Sequence, residues 1–556
     1  MIEHIDESLG VTDVGAVVIG AGFGGLRMLY ELRRLKIDTV VIEEGSDVGG
    51  TWFWNRYPGA RTDSESWVYA YSFSDELQQD WDWSERYPSQ PEVLAYLRHV
   101  ADRFDLRRDI RFGTQVRSCT YDESSNRWAV ETDTGERLRC HFLIFATGPL
   151  SKPIAPPFEG LDSFGGEWYL TARWPEKPVD FAGKCVAVIG TGATGIQVVP
   201  ELAELAAHVT VFQRTPNYAI PGRNRALTGD ERQGIKDRYP EIWALTERHA
   251  SGFAIPETRK RFEELDEDER RAALVGALER GGFEFQFTTF RDLMVDEKAN
   301  EVAAEFLRTH IRSVVNDPET AELLSPGGYP FGAKRPPVEH GYYAAFNRPN
   351  VTLVDVSDDP ITAITTQGLR TGSAEYEFDV LVFATGFDGA TGALLAIDTV
   401  GRGGRSLKEE WASGPRTFLG ITASGFPNMF LVAGPQSPFG NVPVMIEHEV
   451  RWIGAAIDHS QRCEVARLEP GSAVVQEWVD EVDSSLNATL MRKGTDANSW
   501  FLGVNVEGKH AAPLFYFGRA NVYINRLVDV AEHHFVELTT TTDAIDSTEG
   551  ETHGKR

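Results

Sequence analysis

Two glycine-rich turns of identical spacing, each set between an apolar run and a helix-forming segment, predict an α/β chain, and charged residues at helical spacing from 228 to 326 predict a helical insertion within it. The fold class is two Rossmann-like dinucleotide-binding domains with that insertion. In the first unit, residues 16–19 (Ala-Val-Val-Ile) have the length of a buried parallel strand, and Gly20-Ala21-Gly22-Phe23-Gly24-Gly25 follows. Gly20, Gly22 and Gly25 hold the G-x-G-x-x-G positions, with Phe23 between them. The first glycine makes the turn, the second lets backbone approach a pyrophosphate, and the third lets helix and strand pack closely. Residues 26–35 can make the helix and 39–42 the second strand. Glu43, 23 residues beyond Gly20, stands where a carboxylate binds a ribose hydroxyl. Glycine-rich turns also occur without a nucleotide; here strand, helix, second strand and carboxylate fall in register.

The second unit repeats the plan. Residues 184–189 run into Gly190-Thr191-Gly192-Ala193-Thr194-Gly195, then a helix carrying Gln197 and ending near 206, then a strand at 209–212. The position matching Glu43 is Gln213, followed by Arg214 and Thr215. A carboxylate there would repel a 2′-phosphate, whereas the guanidinium of Arg214 offers a planar fork matched to it. This difference assigns FAD to the first loop and NADPH to the second; the other reading of Arg214 is a surface arginine. The triplets Ala146-Thr147-Gly148 and Ala384-Thr385-Gly386 each close an apolar run. They read as ordinary strand-ending turns or, through Thr147 and Thr385, as approaches to the cofactors.

At 556 residues and 42% hydrophobic content the chain can fill two or three domains. Its net charge of −28 argues against nucleic acid or an anionic membrane as partner. The first seven residues lack the pattern of a signal peptide and no apolar run reaches membrane-spanning length, so a cytoplasmic protein, monomeric or a small homo-oligomer, is expected. Cys119, Cys140, Cys185 and Cys463 form no C-x-x-C pair, so neither a disulfide framework, a redox pair nor a metal site is indicated.

Residues 49–63 combine glycines, aromatics and charges without helical or strand period, the pattern of a binding loop. Gly49, Gly50, Trp52, Tyr57, Pro58, Gly59 and Asp63 there meet every position of G-G-x-W-x-x-x-x-Y-P-G-x-x-x-D. In this the chain resembles the flavin-dependent Baeyer–Villiger monooxygenases, the group of cyclohexanone and phenylacetone monooxygenases. Phe164, Gly166, Trp174 and Pro175 fit that family's F-x-G-x-x-x-H-x-x-x-W fingerprint in register, with Leu170 in place of its histidine. Residues 329–335 (Tyr-Pro-Phe-Gly-Ala-Lys-Arg) fit its Y-P-x-G-x-K-R motif. The likeness extends from Asp13 to about Phe517.

The resemblance implies a C4a-peroxyflavin that turns a ketone into an ester or lactone with O2 and NADPH. It places Gly50, Thr51, Trp52 and Tyr57 with the cofactor, Lys334 with Arg214 and Thr215 at the 2′-phosphate, Arg335 as the catalytic cation and Asp63 as the carboxylate that orients it. Phe439, Asn441 and Met445 are implied substrate contacts. Trp500 is either a partner of NADP or a buried core tryptophan. The expected domains are 13–150 with 387–540 for FAD, 151–225 with 327–386 for NADPH, 226–326 as the insertion and 541–556 as a disordered tail. The same scaffold could instead oxygenate nitrogen or sulfur, release its reducing equivalents as peroxide, or act as a non-catalytic flavin or NADPH sensor.

Overall fold

The structure, a computed structural model, describes residues 10–538 and the backbone of 5–6. The 541–556 tail and most of the segment read for a signal peptide lie outside the described residues.

A nine-stranded sheet carries the first glycine loop. Strand Val11–Ile19 lies between Thr39–Ile42 and Arg137–Phe145, parallel to both, with Met429–Leu431 parallel to the far side of Arg137–Phe145. Residues 116–145 add an antiparallel meander, and Asp398–Val400 pairs with Val116–Asp122. The unbroken apolar run at 16–19 is explained by burial on both faces. Ala16 and Val18 pack with the helices Phe23–Arg34 and Val442–Arg462, while Val17 and Ile19 pack with Trp128, Leu143 and Trp411.

The second sheet is five-stranded and parallel, in the order Val351–Asp355, His208–Gln213, Cys185–Ile189, Val380–Phe383, Glu167–Leu170. Two chain crossings join the sheets, and they hydrogen-bond to each other. Ile154 N–H donates to Gly386 O at 3.0 Å, Asp388 N–H to Lys152 O at 2.9 Å, and the Thr385 hydroxyl to Ile154 O at 2.9 Å.

The charged stretch is helical as expected, with helices Gly229–Asp237, Tyr239–Arg248, Glu267–Arg280 and Glu297–Val314 among its elements. It does more than present solvated charge. Its apolar faces close over Tyr329, Phe331 and Ala333, and buried Asn300 clamps that loop: its amide nitrogen donates to Phe331 O at 2.9 Å and its oxygen accepts Phe331 N–H at 2.9 Å. The two cations that follow, Lys334 and Arg335, are thereby held on a fixed base.

The third glycine of each loop packs where sequence spacing puts it. A Cβ on Gly25 would lie 1.8 Å from Gly20 O, and one on Gly195 2.1 Å from Gly190 O. Gly25→Ala should therefore cost about 3 kcal/mol or more, because the clash is with backbone rather than a side chain that can swing away. Denaturant unfolding checks this; a variant as stable as the parent would mean the helix can retreat from the strand at no cost.

Candidate functional site

A cleft of about 410 Å³ opens at the carboxyl ends of the first sheet's parallel strands, the position where such folds take nucleotides. Gly20, Gly22, Phe23, Glu43, Gly50, Thr51, Trp52 and Thr147 line it. Glu43 is buried and fixed: Oε2 accepts Ala21 N–H and Oε1 accepts Gly45 N–H, both at 2.7 Å. Burial raises its pKa while these amides oppose the rise. Gly22 and Gly50 face one another, and a Cβ on Gly50, whose φ is +53°, would reach 3.0 Å from Gly22 Cα. Two bare backbones beside a helix N-terminus make a cradle of pyrophosphate type, so the residues present fit FAD.

Near Trp52 and Tyr69 on the cleft wall stands an ion pair. Arg335 Nη1 donates to Asp63 Oδ2 at 2.6 Å. Asp63 is 6 % exposed in its side chain and Arg335 30 %, so the carboxylate anchors and the guanidinium reaches outward. Burial pushes the Tyr69 phenol up to about 12, and both Arg335 and Asp63 act on it, which places the pair beside the cleft. Asp63 Oδ1 is buried without a hydrogen-bond partner among the described residues, and the Arg335 guanidinium lies 5.5 Å from the centre of the Phe283 ring.

The second glycine loop opens similarly. A Cβ on Gly192 would meet nothing within 4 Å, leaving space for a ligand against backbone. Thr191 donates to Thr215 O at 3.1 Å, fixing the strand end that carries Arg214. Lys334 is half-buried, and its ammonium is pushed down to about 8, first by burial and then by Arg214, with no carboxylate opposing. Two adjacent cations without an acid between them form an anion site. Asn498, its amide oxygen toward Arg214, accepts from the guanidinium at 2.5 Å.

Tyr57 and Gln197 join the two units. Tyr57 donates to Gln197 Oε1 at 2.8 Å and Gln197 Nε2 donates to Arg61 O at 3.0 Å. Burial chiefly raises the Tyr57 phenol, with Thr194 opposing and Asp63 reinforcing, so Tyr57 stands between the second helix and the ion pair. Thr385 is committed to Ile154, and Gly25 and Gly195 face their own loops rather than a cleft. Trp500 is half-buried and packs against Phe439, Phe501 and Phe515 at centroid distances of 5.4–6.3 Å. Asn441 is buried, and its amide nitrogen is committed to Val68 O and Gly252 O.

Motif reading passed over Trp54, Glu44 and Arg173, which also line the cleft; Arg173 sits 4.0 Å over the Trp54 ring and pairs with Glu44 at 3.3 Å. The signal was available in Arg173, an arginine three residues after Leu170 within a segment matched to a fingerprint. Among the described residues no group of three His, Cys, Asp or Glu is placed to hold a metal, and no helix is long and apolar enough to cross a membrane.

A family profile described as pyridine nucleotide-disulphide oxidoreductase matches residues 17–271. The four cysteines are all free, and none lines the cleft. A Baeyer–Villiger monooxygenase of Pseudooceanicola batsensis is 40% identical over 95% of this chain and 96% of its own length. The chain belongs to the Baeyer–Villiger monooxygenase family. Among solved structures, cyclohexanone monooxygenase from Rhodococcus sp. Phi1 bound to NADP+ has a TM-score of 0.92 at 43% identity, over 94% of this chain and 98% of that one. OTEMO in complex with FAD and NADP has a TM-score of 0.90 at 38% identity, over 94% and 98%. Relatives within this family differ in chemistry: phenazine N-monooxygenase PhzNO1 of Lysobacter antibioticus is also 40% identical, over 94% of this chain and 96% of that protein.

The Arg214–Lys334 site yields two expectations. Arg214→Ala should weaken NADPH binding by about 1.5–3 kcal/mol, roughly tenfold or more, and leave NADH unchanged. The parent's preference for NADPH over NADH should also fall as pH rises through about 8, since Lys334 is charged below that value and neutral above it. Binding titrations with both coenzymes across that range check this; a pH-independent preference would remove Lys334 from the phosphate site.

Proposed function

We propose that the chain is a Baeyer–Villiger monooxygenase that uses FAD, NADPH and O2 to convert a ketone into an ester or lactone. FAD belongs to residues 13–150 and 387–540, NADPH to 151–225 and 327–386. The Arg335–Asp63 ion pair, which acts electrostatically on the cleft residue Tyr69, is the observation that carries this reading. Bound flavin, reduced by NADPH, supplies an activated form of O2 whose attack on a carbonyl builds negative charge.

The chain's part is to meet that charge. The Arg335 guanidinium gives one Nη1 donor to Asp63, so the rest of its fork can stabilise an oxyanion. Asp63 fixes the guanidinium plane; Asn217 Nδ2, bonded to Arg335 O at 3.2 Å, fixes its backbone. Lys334, next in chain, serves the coenzyme phosphate, so one clamped loop sets both coenzyme and reacting centre. The relative that oxygenates a phenazine nitrogen favours a second reading, N-oxygenation, in which no oxyanion forms and Arg335 contributes less.

A panel of ketones and N-heterocycles, assayed with parent and Arg335→Ala, separates the two. Arg335→Ala should still reduce its flavin with NADPH while ester formation falls by about 10²–10³-fold or more. Ester yield unaffected by the substitution would overturn the reading, and N-oxides as the only products would select the second.

Leu170 ends the strand Glu167–Leu170 opposite Phe383, directly before the crossing at 384–386, and Thr171 donates to Phe383 O at 3.1 Å. The neighbouring Tyr169 hydroxyl is committed to Glu167 at 3.1 Å and supplies nothing in place of an imidazole. Leu170→His should raise the oxygenated product formed per NADPH consumed without altering which ketones are accepted. A parent that is already fully coupled would make leucine a neutral packing choice there.

A further inference from the structure

Behind the cleft wall lies a buried acid that the chemistry above leaves unused. Glu449 projects from the helix Val442–Arg462 and is fully buried. Ile446 and Val442, about one and two turns earlier on the same face of that helix, line the cleft. Glu449 Oε2 accepts Ala433 N–H at 2.6 Å, and Ala433, with Val432, is also cleft wall. Ala433 holds a φ of +52°, a left-handed conformation that a side chain disfavours and surrounding contacts must sustain.

Hydrogen positions around Glu449 are constrained by counting. Tyr523, on the helix Ala520–Glu532, has one hydroxyl proton and donates it to Leu419 O at 2.7 Å, a carbonyl with none to return. Its oxygen lies 3.3 Å from Glu449 Oε1. That contact is a hydrogen bond with Tyr523 donating to the carboxylate in place of Leu419 O, or with a protonated carboxyl donating to Tyr523. The groups facing the carboxyl are the Ala433 amide, the Ser437 hydroxyl and Tyr523; no charged side chain acts on it.

We propose that Glu449 is a positioning residue for the flavin, holding the cleft wall through the Ala433 amide and, by releasing its proton to solvent, tying the flavin's electron affinity to pH. Burial brings the carboxyl to about 7, so the neutral and charged forms exchange across neutrality. A carboxylate in this dry region disfavours the electron-rich reduced flavin, lowering its midpoint potential at higher pH. The linkage sign agrees: the folded-state value lies above the ordinary 4.5, so stability is present below that value and is lost as pH rises through about 7. The proposal rests on flavin occupying the cleft and not on the ketone reaction.

Holoenzymes carrying Glu449→Gln and Glu449→Ala test it. Glutamine keeps an acceptor for Ala433 N–H and cannot titrate; alanine loses both. The expected results are a parental midpoint potential that falls more steeply with pH across neutrality than that of Glu449→Gln, a thermal stability gain for Glu449→Gln that grows as pH rises from about 4.5 and levels off above about 7, and loss of FAD from Glu449→Ala but not from Glu449→Gln. Parallel potential profiles for parent and Glu449→Gln would overturn the proton coupling, and parental FAD affinity in Glu449→Ala would overturn the positioning role. If Glu449→Ala does not fold, the Glu449→Gln profile decides alone. A parent purified without flavin would overturn the cofactor assignment on which the proposal stands.

Discussion

A Cβ on Gly20 would lie 2.6 Å from Ala146 O, and one on Gly190 2.6 Å from Ala384 O. Each glycine loop can therefore form only because its first residue is bare and because a strand-ending alanine comes within touching distance of it. That contact explains why the triplet Ala-Thr-Gly recurs: each copy ends the strand beside a glycine loop and starts a crossing to the other sheet. Since the two crossings hydrogen-bond side by side, fixing the loops also fixes how the nucleotide units face each other.

The orientation has a chemical consequence. The loop at 57–61 belongs to the first unit yet packs on the second unit's helix, where a Cβ on Gly59 would strike Gln197 O at 2.3 Å. The same joint carries Asp63 toward Arg335, which arrives from the second unit on a base clamped by the insertion. In a chain of net charge −28, three cations, Arg214, Lys334 and Arg335, are gathered along this seam. Acidity overall keeps unrelated polyanions away, and in the proposed function the local cations are the groups that receive a phosphate and a developing oxyanion.

Much of this was legible in the sequence. Glycine spacing, two-sided apolar strands and the Glu43 against Arg214 contrast are local and leave a local trace. The Arg335–Asp63 contact joins residues 272 apart in sequence, and only the family motifs pointed to it. The insertion's charged residues concealed its role, because its work is done by an apolar face and by Asn300, a residue whose type alone carries no signal. Glu449 was illegible for the same reason. Its environment is assembled from Ala433, Leu419 and Tyr523, and nothing near it in sequence marks it as a buried acid rather than a solvated charge on a helix.

In the proposed function Arg335 and the cleft are parts of one machine that places an oxygen atom from O2 into a ketone at the expense of NADPH. The most direct measurement is turnover of a cyclic ketone with isotopically labelled dioxygen and NADPH, with mass analysis of the product. The expected product is a lactone carrying one labelled oxygen for each coenzyme oxidised in productive turnover. Coenzyme oxidation that yields labelled hydrogen peroxide alone, or a lactone without label, would contradict it.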